Sequence, residues 1–289
     1  VIGVGGGGAG DLQGALEEER LYLRPPEFYR LNAIELRLGA RVESLDLRAG
    51  IARLQSGEAL AFDKLALATG APPRRLEVSG AGLDGVRYLR TIADSDALRP
   101  ALQASGTIAI VGAGYIGLEV AASARKAGRD VIVIEALERP LARVTGGEVA
   151  AYFTELHRRH GVQFRFGAKV AGFVGKHRLE AVSIENGPDI PCASALVCIG
   201  AAPTTALAAA AGLKVENGVH VDESARAAPN VWAAGDCANF PSRLYGRRLR
   251  LESAPNAIDQ AKVAGAAMAG RQAAYDPVPW FWSDQYDVK

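Results

Sequence analysis

Two unbroken apolar runs stand out along the chain, Thr107-Ile-Ala-Ile-Val111 and Val131-Ile-Val-Ile134. Both are β-branched and neither alternates with polar residues, so each reads as a buried parallel strand. Leu118 to Ala127, between them, has helical composition and is closed by Gly128. A second pattern repeats. Ile34-Glu-Leu-Arg-Leu-Gly-Ala-Arg-Val42 matches Val162-Gln-Phe-Arg-Phe-Gly-Ala-Lys-Val170 at an offset of 128. Gly70-Ala71 and Pro73 match Gly200-Ala201 and Pro203 at an offset of 130. Gly5, Gly7 and Gly10 match Gly112, Gly114 and Gly117 at an offset of 107. Each copy reads as a glycine-rich turn, an apolar strand, short alternating strands, another apolar strand and a Gly-Ala turn. The fold class is therefore α/β, with two parallel-sheet nucleotide units that each carry an antiparallel meander.

The copies are unequal. Since 128 minus 107 is 21, the first is 21 residues shorter between its glycine turn and the next matched strand. That interval holds only Asp11 to Ala33, where Asp11 to Phe28 reads as a partial helix running into a Pro25-Pro26 turn. Residues 190–213 carry no charge, which raises a membrane span. Pro191, Gly200, Pro203, Thr204, Thr205 and Gly212 instead break them into a strand, a turn and a short helix.

The second glycine turn carries the clearest chemistry. Gly112-Ala-Gly114-Tyr-Ile116-Gly117 follows a strand and opens a helix, and Glu135 ends the next strand 23 residues after Gly112. That is the Rossmann dinucleotide fingerprint. Gly112 permits the tight turn, Gly114 lets backbone approach the pyrophosphate, and Gly117 lets helix pack on strand. The helix N-terminus offers N–H groups to the anion. Glu135 accepts from both ribose hydroxyls and repels a 2′-phosphate, so NADH is expected over NADPH, with Arg139 and Arg143 near enough to qualify the preference.

Composition adds boundaries rather than a class. A length of 289 residues suits two domains of ~150. Basic and acidic residues, 33 against 32, nearly cancel, which favours neither a nucleic-acid binder nor a polybasic membrane anchor. Cys192, Cys198 and Cys237 have no C-x-x-C spacing and read as buried apolar residues in a reducing cytoplasm. His157 and His160 flank Arg158-Arg159, whose charges repel a metal, and His177 and His220 read as surface residues, so no metal site is expected. The first residue is not Met, and no basic flank of a signal peptide follows it.

Three further segments carry a resemblance: Val231-Trp-Ala-Ala-Gly-Asp-Cys-Ala238, Arg250-Leu-Glu-Ser-Ala-Pro-Asn-Ala-Ile-Asp-Gln-Ala261 and Pro279-Trp-Phe-Trp-Ser-Asp-Gln-Tyr-Asp287. From about Leu23 to Lys289 the chain resembles the NADH-dependent ferredoxin and rubredoxin reductases. The resemblance implies a split FAD domain (1–104 and 219–276), an inserted NAD domain (105–218) and the start of a C-terminal interface domain (277–289). It implies electron flow from NADH through FAD to a [2Fe-2S] ferredoxin or rubredoxin of an oxygenase system.

The resemblance implies that Gly5, Gly7 and Gly10 line the FAD pyrophosphate and that Val42 meets adenine through its backbone. Thr69 and Gly70 form the turn toward the cofactor, with Gly200 their counterpart beside NADH. Asp236 binds the ribityl-phosphate region. Ser253 and Ala254 open a helix toward the flavin's pyrimidine edge, Ser253 as N-cap and Pro255 in the first turn. Glu119 matches an acid beside flavin and nicotinamide, and Trp282 an aromatic near the ring. Trp280 and Trp282 alternate as on a strand. Arg247, Arg248 and Arg250 are expected to dock an acidic carrier, alternation putting Arg248 and Arg250 on one face. The chain departs from the family in lacking a second strand with a ribose-binding acid and the Arg-Pro-Pro-Leu-Ser-Lys segment. Alternatives are an NADH oxidase, an apoptosis-inducing-factor-like flavoprotein, or a nonenzymatic NAD-binding remnant.

Overall fold

In the computed structural model, which describes residues 22–288, the Pro25-Pro26 pair starts a helix rather than making a turn. Proline needs no N–H partner at the first helical position, and α1 (Pro26–Leu31) uses it there. Gly5, Gly7 and Gly10 lie outside the described residues, as does the expected partial helix up to residue 21. β1 (Val42–Asp46), β2 (Ile51–Leu54) and β3 (Ala59–Ala61) form an antiparallel meander. Gly50 makes its first turn at φ +66°, where a Cβ would lie 2.6 Å from the Phe62 carbonyl oxygen. β4 (Leu65–Leu67) follows.

Pro73–Ala201 forms a second compact unit inserted in the first. Along it come β5 (Val86–Arg87), α2 (Ile92–Gln103), β6 (Ile108–Val111), α3 (Tyr115–Lys126), β7 (Val131–Ile134), α4 (Gly147–Arg159) and β8 (Gln163–Arg165). A second meander of β9 (Val170–Val174), β10 (Ala181–Ile184) and β11 (Ile190–Pro191) precedes β12 (Ser194–Val197). β5, β12, β6, β7 and β8 make one parallel sheet in that order. Alternate residues of the β-branched runs go to opposite faces. Ile108, Ile110, Val131 and Val133 pack with Leu98 and Leu102 of α2 and Leu118 of α3. Ala109, Val111, Ile132 and Ile134 pack with Phe173 and Val182 of the meander. Both faces are covered, which is why the runs are unbroken. Burying each Val or Ile contributes about 1.5–3 kcal/mol.

The chain returns to the first unit at Ala202. α5 (Ala206–Ala210), β13 (Val219–His220), β14 (Arg226–Ala228), β15 (Val231–Ala233), a 3₁₀ turn at Gly235–Cys237, β16 (Ala238–Ser242), β17 (Arg247–Leu249) and α6 (Ala254–Met268) follow. β15 pairs parallel with β4. Leu67, Val219, Val231, Ala233, Phe240 and Tyr275 share the core that joins the two halves of this outer unit. The uncharged stretch is divided as expected by β12 and α5. Among the described residues no helix is long and apolar enough to cross a membrane.

Several expectations are corrected. The compact units divide at Pro72/Pro73 and Ala201/Ala202, whereas the expected cofactor domains divide at 104/105 and 218/219. β5 pairs with β12 in the inserted sheet, while Ala208 of α5 and Val219 of β13 pack in the outer core. Residues 282–288 belong with the inserted unit. Trp280 and Trp282 lie on no strand, and stay 61% and 39% exposed. His220 is not a surface residue: its side chain is 12% exposed and its Nε2 lies 3.3 Å from Glu216. His157 is fully buried.

Candidate functional site

The fingerprint turn joins β6 to α3. Gly112 has φ +105°, and a Cβ there would stand 2.3 Å from the Cys198 carbonyl oxygen. A Cβ on Gly117 would stand 2.2 Å from the Gly112 oxygen. Both positions therefore require glycine. Around Gly114 nothing lies within 4 Å of the Cβ position, an open side for a pyrophosphate. α3 starts with no side-chain cap and no acid in its first turn, so its N-terminal positive end favours an anion. Ile116 is exposed there. Glu135 Oε2 accepts the Ala113 N–H and Oε1 the Leu137 N–H, each at 2.8 Å. The carboxylate is thus fixed at the mouth of the turn, with lone pairs left for ribose hydroxyls. Arg139 donates to the carbonyls of Ala142, Thr145 and Gly146. Arg143 is exposed. Gly200, at φ +96°, follows β12 and accepts the Arg74 N–H at 2.9 Å. These residues fit a dinucleotide.

Glu119 sits half-buried on α3, and Ser283 Oγ donates to its Oε1 at 2.6 Å. Burial pushes this carboxyl above the ordinary range, the Ser283 bond opposes the rise, and the charge of Asp284 adds to it. Cys198 feels the Glu119 charge, and burial foremost pushes its thiol up to about 12. Cys192 is raised to about 11 by burial. Both are thiols rather than thiolates at neutral pH, hence poor nucleophiles. Trp282 precedes Ser283 directly. Ser283 is a contact that sequence reasoning missed, because nothing local distinguishes it from any other serine.

On the outer unit Val42 opens β1. Thr69 Oγ1 donates to the Thr204 carbonyl at 2.7 Å, and Gly70 accepts the Thr204 N–H at 2.9 Å. Because β4 and β15 are parallel, Gly70 and Gly235 (φ +66° and +80°) leave the sheet at the same end, where open α/β sheets hold ligands. Gly235 donates its N–H to Gln260 Oε1 at 2.8 Å, and Asp236 follows in the 3₁₀ turn. α6 begins at Ala254 with Ser253 Oγ accepting the Asn256 N–H at 3.3 Å, and no acid occupies its first turn. Gln260 Nε2 and Trp232 Nε1 are buried without a hydrogen-bond partner among the described residues. Sequence reasoning missed both. The set suits a flavin nucleotide, with polar atoms to spare and a positive helix end for a reduced ring.

The arginines divide differently from expectation. Arg248 donates to the Val221 carbonyl at 2.7 Å, to Asn239 Oδ1 at 3.1 Å and to the Asn239 carbonyl. Arg250 donates to Asn217 Oδ1 at 3.1 Å and the Asp236 carbonyl at 3.2 Å, and pairs with Glu252 at 2.7 Å. The two that alternation puts on one face are the two whose guanidinium groups are engaged within the unit. Arg247 is exposed.

The family profile described as pyridine nucleotide-disulphide oxidoreductase matches residues 12–261. Putidaredoxin reductase of Pseudomonas putida is 40% identical over 284 residues, covering 96% of this chain and 67% of that protein. Rubredoxin-NAD(+) reductase of Pseudomonas putida is 37% identical, over 92% of this chain and 70% of that one. The crystal structure of a covalent putidaredoxin reductase–putidaredoxin complex superposes with a TM-score of 0.93 at 39% identity, covering 97% of this chain and 69% of that one. The chain thus spans about two thirds of the length of these proteins.

Proposed function

The chain belongs to the pyridine nucleotide-disulphide oxidoreductase family, among its ferredoxin and rubredoxin reductases, and from that premise we propose how its residues divide the work. It is an oxidoreductase whose cofactors are FAD and NADH. Bound FAD supplies the redox chemistry, taking a hydride from NADH and releasing electrons singly. Gly112, Gly114, Ile116 and Gly117 hold the NADH pyrophosphate, Glu135 takes the ribose hydroxyls, and Arg143 and Gly200 border the nucleotide. Glu119 and Trp282 flank the reacting rings. Gly5, Gly7 and Gly10 carry the FAD pyrophosphate, Val42 the adenine, Thr69 and Gly70 the return turn, and Asp236 a ribityl hydroxyl. Ser253 and Ala254 set the positive end of α6 at the flavin's pyrimidine edge. FAD belongs to Leu23–Pro72 and Ala202–Phe281 with the first glycine turn, and NADH to Pro73–Ala201.

The acceptor is a small iron–sulfur carrier, a [2Fe-2S] ferredoxin or a rubredoxin. A related reductase forms a complex with putidaredoxin and another is named for rubredoxin. No C-x-x-C pair offers a dithiol as the next electron stop. Three free cysteines suit a reducing cytoplasm. Of the arginines, Arg247 is the docking contact. The observation that carries the reading is the Glu135 carboxylate held 2.8 Å from the Ala113 N–H inside the glycine turn. With FAD-loaded protein, NADH oxidation should be slow in air alone and accelerate with oxidised ferredoxin. Rapid oxygen-dependent turnover that ferredoxin does not change would point to an oxidase.

A further inference from the structure

A chain of hydrogen bonds runs within the inserted unit from Glu119 to a histidine on another helix. Ser283 Oγ donates to Glu119 Oε1 at 2.6 Å. The same Oγ accepts Gln285 Nε2–H at 3.0 Å. Gln285 Oε1 lies 2.8 Å from His157 Nε2, and Tyr286 Oη lies 3.3 Å from His157 Nδ1. Gln285 and His157 are both fully buried. The order of protons follows from what each atom can do. An amide nitrogen only donates, so Ser283 must accept from it and spend its own hydrogen on Glu119. An amide oxygen only accepts, so His157 must carry its proton on Nε2 and accept the Tyr286 hydroxyl at Nδ1. Every bond then points toward Glu119, whose Oε1 accepts the last hydrogen.

The segment that supplies this chain is held firmly. Tyr286 takes the left-handed conformation at φ +60°, where a non-glycine residue is strained. Reciprocal Gln285–Val288 backbone bonds of 2.9 and 3.0 Å close the turn. Lys126 Nζ donates to the Tyr286 carbonyl at 2.8 Å, and the Tyr286 ring stacks on His160 with centroids 3.6 Å apart. Turning the Gln285 amide over would reverse the chain. Gln285 would donate to His157 Nε2, moving the imidazole proton to Nδ1, and Ser283 would donate to Gln285. Glu119 would then need a proton of its own to donate to Ser283. An Nδ1–H tautomer of His157 would therefore require a protonated Glu119.

We propose that Ser283, Gln285 and His157 are positioning residues that keep the Glu119 carboxylate aimed and ionised for the NADH reaction. This rests on Glu119 standing at the reacting rings. The groups facing Glu119 are Ser283, Asp284 and the neutral thiol of Cys198, and those facing His157 are Gln285, Tyr286 and His160. Burial disfavours charge on both Glu119 and His157, and the Ser283 hydroxyl, followed by the Asp284 backbone N–H, favours the Glu119 anion.

The test uses the full chain loaded with FAD. Imidazole ¹⁵N NMR should show His157 as the neutral Nε2–H tautomer at pH 7, whereas an Nδ1–H tautomer would overturn the proposal without any variant. NADH-driven ferricyanide reduction followed across pH supplies the second readout. Ser283→Ala should lower kcat about threefold to tenfold and raise the acid dissociation midpoint of its pH profile, with KM for NADH nearly unchanged. Ser283→Thr should restore both. A Ser283→Ala profile that superposes on the parent would overturn the positioning chain. Glu119→Gln separates the two levels. A parental Glu119→Gln profile would overturn the reading of Glu119 itself. An altered one beside an unchanged Ser283→Ala profile would overturn the chain alone.

Discussion

At the scale of single residues, two carboxylates differ in what holds them, and that sets their expected chemistry. Glu135 is fixed by two backbone N–H groups, whereas Glu119 is held by the Ser283 hydroxyl and the Asp284 backbone N–H in a half-buried place. Glu135→Ala should narrow the NADH/NADPH ratio of kcat/KM by about 1–3 kcal/mol, the worth of a charge-assisted contact. An unchanged ratio would remove Glu135 from the ribose. His157 makes a different prediction. Burial foremost lowers its affinity for a proton in the folded state, so below the ordinary value of about 6.5 the unfolded chain binds protons more readily. Its contribution to stability is thus present above that pH and declines as pH falls through it. Urea midpoints at pH 7.5 and 5.5 should differ by less in His157→Gln than in the parent. The glycine turn at Gly112 and the place of Glu135 at its mouth could be read from spacing because one strand–turn–helix–strand unit sets both. His157 could not, since its partner Gln285 lies 128 residues away. The bonds of the exposed Arg248 to the Val221 and Asn239 carbonyls likewise join positions 27 and 9 residues apart, which no local pattern shows.

At the scale of elements, the parallel core was legible wherever burial on both faces imposed a pattern. β6 and β7 are continuous β-branched runs, and α3 ends at Lys126 just before Gly128, whose φ is +75°. The repeat also located the meanders, since β1 begins at Val42 and β9 at Val170. The Trp280–Trp282 segment failed the same reasoning because alternation describes a strand only where a partner strand exists. β5 and α5 are short, and only their packing assigns them to a unit. The start of α6 was legible from its cap. Ser253→Ala should lower stability by about 1 kcal/mol through loss of the bond to the Asn256 N–H. It should also weaken FAD retention while leaving NAD⁺ affinity unchanged. Equal loss of both nucleotides would place Ser253 in global stability instead.

At the scale of the whole molecule, a near-neutral net charge of +1 leaves no global field to steer a partner, so recognition depends on local charge. With Arg248 and Arg250 engaged internally, Arg247 is the arginine available to an acidic carrier. Arg247→Glu should raise KM for ferredoxin and flatten its salt dependence, with ferricyanide reduction unchanged. A parallel fall in both activities would mean the arginine supports the cofactor site. Electrons pass, in the proposed function, from NADH through FAD to an iron–sulfur carrier. Anaerobic titration of the FAD-loaded protein, followed by its visible spectrum, tests this most directly. One equivalent of NADH should bleach the flavin band, NADPH should bleach it far more slowly, and oxidised ferredoxin added afterwards should restore it. A flavin band that NADH leaves unbleached, or that ferredoxin fails to restore, would contradict the account.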